Sequence, residues 1–140
     1  MRPGDRTALN AKKDFFASFW FRVQRQVEPF WVKHVRAANP GQIQKRDYMT
    51  RVNIVLAPDG SLVAVDIEQG CGVPGWDRAV TAAFQEAAPF LNPPKGLVEG
   101  DGKIHMDDLG FVVSLTGGKI VHMYGDPRAG KLFPGMNEGR

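Results

Sequence analysis

Hydrophobic and polar residues alternate along two segments near the middle of the chain, 48–56 and 62–68. Alternation at every second residue is the period of a β-strand with one dry face and one wet face. The intervening Pro58-Asp59-Gly60 supplies a preset dihedral, a backbone-bonding side chain and a residue that accepts positive φ. We therefore predict a β-hairpin over 48–67. Its predicted inward residues are Val52, Ile54, Leu56, Val63, Val65 and Ile67, and its predicted outward residues are Arg51, Asn53, Ala64, Asp66 and Glu68.

Apolar residues recur every three or four positions on both sides of this hairpin, which is the helical period. In the first segment Asp14 is a candidate cap and Pro29 interrupts the pattern. We therefore expect a kink or two abutting helices, 14–27 and 29–38. A second helix is expected over 75–88. The predicted buried face of the first segment is Phe16, Trp20, Val23, Val27, Phe30 or Trp31, and His34 or Val35, opposite Arg22, Arg25, Lys33 and Arg36. The predicted buried face of the second is Trp76, Val80, Ala83, Phe84 and Ala87.

The remaining segments follow from their content of proline, glycine and alternating apolar residues. Joined hairpins imply an antiparallel sheet, and the helices are expected to cover one face of it. The fold class is therefore α+β, with an antiparallel three- to four-stranded sheet and helices packed on one face, in the order α-β-β-α-β(-β). We predict a lead-in at 1–13, a domain over 14–124, an extended stretch at 89–94, a polar loop at 95–108, strands at 109–116 and 119–124 joined by a turn at 117–118, and a tail at 125–140.

Composition narrows the class of protein only a little. The chain has 140 residues, 43% of them hydrophobic, which suits one domain with a single core. Its net charge of +3 is too small to indicate nucleic-acid binding. No run approaches the roughly 20 apolar residues of a membrane helix, and the N-terminus lacks the apolar core of a signal peptide. We expect either a cytosolic protein or a piece of a larger exported one.

The three histidines, His34, His105 and His122, show no spacing typical of metal ligands. A site formed by His105 with Asp107 and Asp108 is conceivable, but two adjacent acids in a polar loop are more often solvated. The sequence therefore predicts no metal site and no cofactor.

The glycine-rich loop 70–75 offers two further candidates for chemistry. Cys71 has no nearby base in the sequence, so a structural thiol is favoured over a nucleophile. The loop precedes a helix, where phosphates bind, but it lacks the lysine and the spacing of a P-loop. We predict no catalytic residue and no enzymatic activity.

Four features follow one another in a fixed order. An aromatic-rich helix ends near Trp31, and a strand pair is joined by Pro58-Asp59-Gly60-Ser61. A glycine-rich loop then leads into Gly75-Trp76-Asp77-Arg78-Ala79, and Ala88-Pro89-Phe90 runs into Pro93-Pro94. In this order and spacing, over about residues 15–116, the chain resembles the C-terminal domain shared by TonB and TolA, the energy transducers of the Gram-negative envelope.

The resemblance implies a periplasmic module of an inner-membrane-anchored protein that docks a partner peptide by β-strand addition and transmits force. The implied partner is an outer-membrane transporter or another periplasmic protein, not a nucleic acid. The implied contact lies beside the third strand, where a fourth strand here would occupy the edge. Charged runs at 107–108 and 128–131 would steer a partner. The candidate partner-binding residues are Gly110, Phe111, Val112, Val113, Ser114, Leu115, Lys119, Ile120, Val121, His122, Met123 and Tyr124.

The chain also departs from the family pattern. Gln69-Gly70-Cys71-Gly72 stands where family members commonly have a Ser-rich turn. The membrane anchor and proline-rich linker of a whole transducer are not in this sequence, so we expect the anchor in the full-length protein. The alternative function is a scaffold or dimerisation domain of a larger envelope machine, of the motility or secretion type. In that alternative no edge is free, and a homodimer forms by strand exchange.

Overall fold

The computed structural model describes residues 3–115 and 121–124. Within them a single antiparallel sheet has the strand order β2-β1-β3-β4. The α+β class and the predicted order of elements are confirmed. The elements are α1 (Pro3–Ala37), β1 (Asp47–Leu56), β2 (Leu62–Gln69), α2 (Pro74–Ala87), a short 3₁₀ turn (Lys95–Leu97), β3 (Ile104–Ser114) and β4 (Val121–Tyr124).

The core lies between the two helices and one face of the sheet. Phe111 of β3 is at its centre: its ring meets Trp31 of α1 edge-on at 5.1 Å and Phe84 of α2 at 5.7 Å, centroid to centroid. Edge-to-face aromatic pairs add to the free energy gained by burying the rings. The predicted apolar face of α2 is confirmed, because Trp76, Ala79, Val80, Ala83, Phe84 and Ala87 are all buried.

The predicted hairpin forms, but only its first strand has the expected burial. Val52, Ile54 and Leu56 of β1 are fully buried. Val63, predicted to face inward, is 50% exposed, and Ile67 is 37% exposed. The alternation breaks because β2 skips register twice against β1, once at Val63 and once at Glu68. An extra residue in one strand leaves that residue unpaired and re-aims its side chain.

A second irregularity explains why β3 begins earlier than predicted. The polar loop expected at 95–108 instead contains the 3₁₀ turn and the start of β3 at Ile104. Two β3 residues, Asp107 and Asp108, stand opposite the single Asn53 of β1. Asp108 has a φ of 58°, and its backbone N–H donates to Asn53 Oδ1 at 2.9 Å. This bulge interrupts the apolar alternation on which the strand prediction depended.

Helix α1 also differs from the prediction. It begins at Pro3, so the segment expected as a loose lead-in is helical from there, and Asp14 lies inside the helix rather than at its cap. The helix runs without a break through Pro29 to Ala37, so the predicted alternative of two abutting helices is wrong. An internal proline costs about 3 kcal/mol. Burial of Val27 and Trp31, on either side of it, offsets this cost by about 1.5–3 kcal/mol per side chain.

Side chains of α1 hold the chain segment that leaves α2. The guanidinium of Arg22 donates to the carbonyls of Leu91 and Asn92, both at 2.8 Å. Gln26 Nε2 donates to the carbonyls of Ala87 at 2.5 Å and Pro89 at 2.8 Å. The predicted basic face of α1 is therefore partly used in packing. No helix among the described residues is long and apolar enough to cross a membrane.

Candidate functional site

The outer strand β4 is one edge of the sheet. Val121–Tyr124 pairs antiparallel with Gly110–Val113 of β3, without a register shift. Within the described ranges, no other strand lies on the far side of β4. A strand that is paired on one side only has N–H and C=O groups available to another extended chain.

The structure separates the predicted partner-binding residues into four sets. Residues 110–113 lie inside the sheet, between β1 and β4, so they do not form an edge. Residues 121–124 form the edge itself. Lys119 and Ile120, like the turn at 117–118 and the charged run at 128–131, lie outside the described residues. Ser114 ends β3 beyond the stretch that pairs with β4, and Leu115 follows the strand. Leu115 N–H donates to the Arg46 carbonyl at 3.3 Å.

The β3 residues beside β4 have little side-chain surface to offer. Gly110, Phe111, Val112, Val113 and Ser114 are all buried. Phe111 and Val113 belong to the core between sheet and helices. The β3 side chains on this side of the sheet therefore offer little surface for contact, and any contact there would involve main-chain groups.

The opposite edge, β2, has a different character. Its irregular positions, Val63 and Glu68, leave four regularly paired residues, 64–67. Asp66 and Glu68 are exposed, and neither forms an ion pair within the described part of the chain. Bulges and charges on an edge strand are devices that hinder pairing with another chain.

Asp77 joins β1, α2 and the loop between β2 and α2. Its Oδ1 accepts hydrogen bonds from Thr50 Oγ1 at 2.7 Å and from Cys71 N–H at 3.0 Å. These partners lie 27 and 6 residues away along the chain, so sequence spacing does not reveal them. A Cβ on Gly70 would lie 2.7 Å from Asp77 Oδ2, so a larger residue at this position would displace the Asp77 carboxylate.

The surroundings of Asp77 also bear on the two chemical candidates of the glycine-rich loop, the Cys71 nucleophile and the phosphate site. Cys71 is 8% exposed, and burial raises the pKa of its thiol, which keeps it protonated and weakly nucleophilic. The Asp77 carboxylate occupies the inner side of the loop at 70–71, where it would repel a phosphate.

Two of the three histidines, His34 and His105, each lie within hydrogen-bond distance of a carboxylate. His105 Nε2 lies 2.7 Å from Asp101 Oδ2, not beside the predicted Asp107 and Asp108. The Asp101–His105 spacing of four residues was the signal that sequence reasoning missed. His34 Nε2 lies 2.8 Å from Glu86 Oε2. Among the described residues, no group of three or more His, Cys, Asp or Glu side chains could hold a metal ion.

Asp107 and Asp108, predicted to steer a partner, lie at the bulge of β3. Asp108 Oδ1 is 4.0 Å from Arg51 Nη1, across the sheet in β1. This separation is at the outer limit of an ion pair, and both side chains are more than a third exposed. The two acids lie just beyond Gly110, where the pairing with β4 ends.

Comparison with protein families gives one match. The family model described as TonB C terminal matches residues 16–106, which is more than half of the chain. The match includes the packed part of α1, the β1–β2 hairpin, α2 and the start of β3. Comparisons with curated proteins and with solved structures found no match. The chain belongs to the TonB C-terminal family, whose members are non-catalytic protein-interaction domains of the cell envelope.

Proposed function

We propose that this chain is the periplasmic protein-binding domain of a TonB-like energy transducer. In this proposal an extended partner peptide adds as a fifth strand along β4, Val121–Tyr124, and the domain binds without catalysing a reaction. The observation that carries the proposal is the position of β4, paired with β3 alone within the described residues. Main-chain hydrogen bonds would supply affinity, and side chains flanking the edge would supply selectivity.

The same arrangement supports transmission of force from a docked strand. An added strand would continue a ladder that runs from β4 through β3 and β1 to β2. The β1–β2 turn is attached to the segment after α2, because Phe90 N–H donates to the Gly60 carbonyl at 2.8 Å. Arg22 and Gln26 attach that segment to α1. A pull on β4 would therefore reach α1 through hydrogen bonds as well as through the core.

Two single-proline variants test the docking edge. Successive amides of an antiparallel strand point to opposite sides, so Val121→Pro and His122→Pro remove donors from opposite edges of β4. The probe is a set of peptides covering the periplasm-exposed N-terminal segments of the outer-membrane transporters of the same cell, followed by backbone amide shifts. We expect one peptide to shift β4 amides in the unmodified chain and to lose binding in the variant that lacks the outward donor, while that variant keeps its β3 pairing.

The outcome that overturns the proposal is equally specific. If no peptide perturbs β4 or β3 amides, or if both proline variants bind as well as the unmodified chain, strand addition at β4 is wrong. A tight dimer whose mass does not change with concentration would instead support the scaffold alternative, in which a second copy covers the edge.

A further inference from the structure

Two arginines flank the loop between β2 and α2. A Cβ placed on Gly72 would lie 3.9 Å from Arg46 Nη2, and a Cβ placed on Gly75 would lie 3.9 Å from Arg78 Nη2. Both arginines are exposed. Gly72 lies in the loop and Gly75 in the first turn of α2. Because neither residue has a side chain, no side chain at these two positions covers a guanidinium. We call the four residues Arg46, Arg78, Gly72 and Gly75 the arginine surface.

The Arg46 side chain is held in place by the Tyr48 ring and by a backbone carbonyl. Its guanidinium carbon lies 3.8 Å from the centroid of the Tyr48 ring, and its Nη1 donates to the Asp47 carbonyl at 3.1 Å. Tyr48 in turn meets Trp76 edge-on at 5.4 Å, and Trp76 is 5% exposed. A guanidinium stacked on a buried aromatic pair loses less freedom when it binds a ligand than a free side chain does.

The carboxylates nearest in sequence to these arginines are bonded elsewhere. Asp77 accepts from Thr50 Oγ1 and from Cys71 N–H, on the inner side of the loop. Asp47 accepts from Ser114 Oγ at 2.6 Å, across the β1–β3 ladder. These two carboxylates therefore serve as hydrogen-bond acceptors within the fold and form no ion pair with Arg46 or Arg78 among the described residues.

The charges of the arginine surface are not neutralised by the described part of the chain. Neither Arg46 nor Arg78 forms an ion pair with a carboxylate in that part. Lys45, next to Arg46, is exposed and adds positive charge. Gly72 is exposed, so the loop backbone beside the Arg46 guanidinium is accessible to a ligand.

We propose that the arginine surface binds an acidic segment of a partner protein through its carboxylates. Guanidinium groups form bidentate pairs with carboxylates, and two of them beside one short loop suit two acidic side chains of one segment. A membrane surface would be served better by a cluster of about four to eight basic residues. The site is separate from the β4 edge, so it does not depend on strand addition there.

The test uses the full chain and two matched peptides. The acidic probe is the capped hexapeptide Gly-Glu-Asp-Glu-Asp-Gly, and its control has Gln and Asn in place of the acids. Backbone amide shifts are followed at Gly72, Gly75 and Arg78 during titration. We expect saturable shifts with the acidic peptide only, weakened by salt because the interaction is exposed to solvent.

Variants assign the binding to the two guanidinium groups. Arg78→Ala and the double variant with Arg46→Ala should weaken binding by about tenfold or more, since hydrogen bonds to charged groups are the strong ones. Arg25→Ala removes an exposed charge from α1 and should leave affinity unchanged. Arg46→Ala also removes the stacking contact with Tyr48, so the double variant could lose its fold. In that case the affinity of the Arg78→Glu variant is the measurement that tests the proposal.

Three results would overturn the proposal. The first is equal weakening by Arg25→Ala and Arg78→Ala, each of which removes one positive charge; this would mean attraction by net charge alone. The second is inorganic phosphate binding as tightly as the peptide, which would indicate a small-anion site. The third is preferential binding of vesicles of phosphatidylglycerol, which would assign the surface to a membrane. The two proposals are tested separately. A peptide that fails to shift β4 amides does not contradict binding at the arginine surface, and failure of the acidic peptide to bind does not contradict strand addition at β4.

Discussion

The two edges of the sheet are built differently. At β4, four residues pair with β3 in a regular register. At β2, the register slips at Val63 and at Glu68, and two exposed acids, Asp66 and Glu68, stand along the strand. Bulges and like charges are the means by which natural sheets prevent uncontrolled pairing of their edges. The difference supports the proposal that a partner strand adds at β4 rather than at β2.

Protection of β2 has a structural cost that other contacts offset. Val63 and Ile67 are 50% and 37% exposed, so β2 contributes less to the core than β1 does. The hairpin is fixed instead at its two ends. The β1–β2 turn is bonded to Phe90, and Thr50 of β1 is bonded to Asp77 at the start of α2. Substitutions at these two ends therefore test how β2 is kept in place.

The largest effect is expected at the β1–β2 turn. Gly60 has a φ of +92°, and a Cβ there would lie 1.9 Å from the Phe90 carbonyl oxygen. Gly60→Ala should therefore lower the free energy of unfolding by about 3 kcal/mol or more, because both the dihedral and the close approach are lost. Urea unfolding followed by circular dichroism measures the loss.

Gly100→Ala is the matched control, since a Cβ at Gly100 meets no atom within 4 Å. Its free energy of unfolding should stay within about 0.5 kcal/mol of the unmodified chain. Equal stability of the two variants would show that the turn does not anchor the hairpin.

A smaller loss is expected at the other end of the hairpin. Asp77→Ala leaves the Thr50 hydroxyl and the Cys71 N–H without their acceptor. The cost should be about 2 kcal/mol, as for a partly buried donor left unpaired. Gln85→Ala, on the exposed side of the same helix, should change the free energy of unfolding by less than about 0.5 kcal/mol. If the two variants unfold at the same urea concentration, Asp77 does not hold the loop.

The parts of the fold that sequence predicted are those set by local chemistry. The turn at 57–61 forms as expected because Asp59 and Gly60 supply a side-chain acceptor and a positive φ. The apolar face of α2 follows from helical spacing alone. In both cases the residues that determine the structure lie within a few positions of one another.

The parts that sequence missed depend on contacts between distant segments. The early start of β3 was hidden because Asp108 takes a positive φ supported by Asn53, 55 residues earlier. The exposure of Val63 depends on a slip against β1 that no pattern within β2 reveals. The pairing of β4 with residues 110–113 makes β4, not β3, the edge strand on that side of the sheet, and the sequence alone does not decide between these two strands.

Removing the two acidic side chains of β2 tests whether charge or the register slips prevent association at this edge. Asp66→Val with Glu68→Val leaves an edge of apolar side chains, so we expect association that increases with protein concentration. Sedimentation velocity across a concentration series measures it. The control, Glu28→Val with Glu99→Val, changes the net charge equally at exposed sites outside the strands. If both double variants remain monomeric, the bulges alone protect β2, and if both associate, net charge rather than the edge is responsible.

The smallest expected effect is a change in pKa at the β1–β2 turn. Ser61 donates to Asp59 Oδ1 from its hydroxyl at 2.6 Å and from its backbone N–H at 3.0 Å, and these bonds lower the pKa of the Asp59 carboxyl. A lowered pKa in the folded chain stabilises the turn above the unfolded pKa, and this contribution is lost as the pH falls through the folded value. Ser61→Ala removes the hydroxyl, which is the larger cause, so the pKa of Asp59 should rise towards its ordinary value in a carbon-13 carboxyl titration. Asp101, whose pKa is lowered chiefly by His105, should keep its pKa in the same variant. A parallel rise at Asp101 would mean that the substitution disturbs the whole domain, whereas a rise at Asp59 alone would show that the β2 turn is stabilised locally.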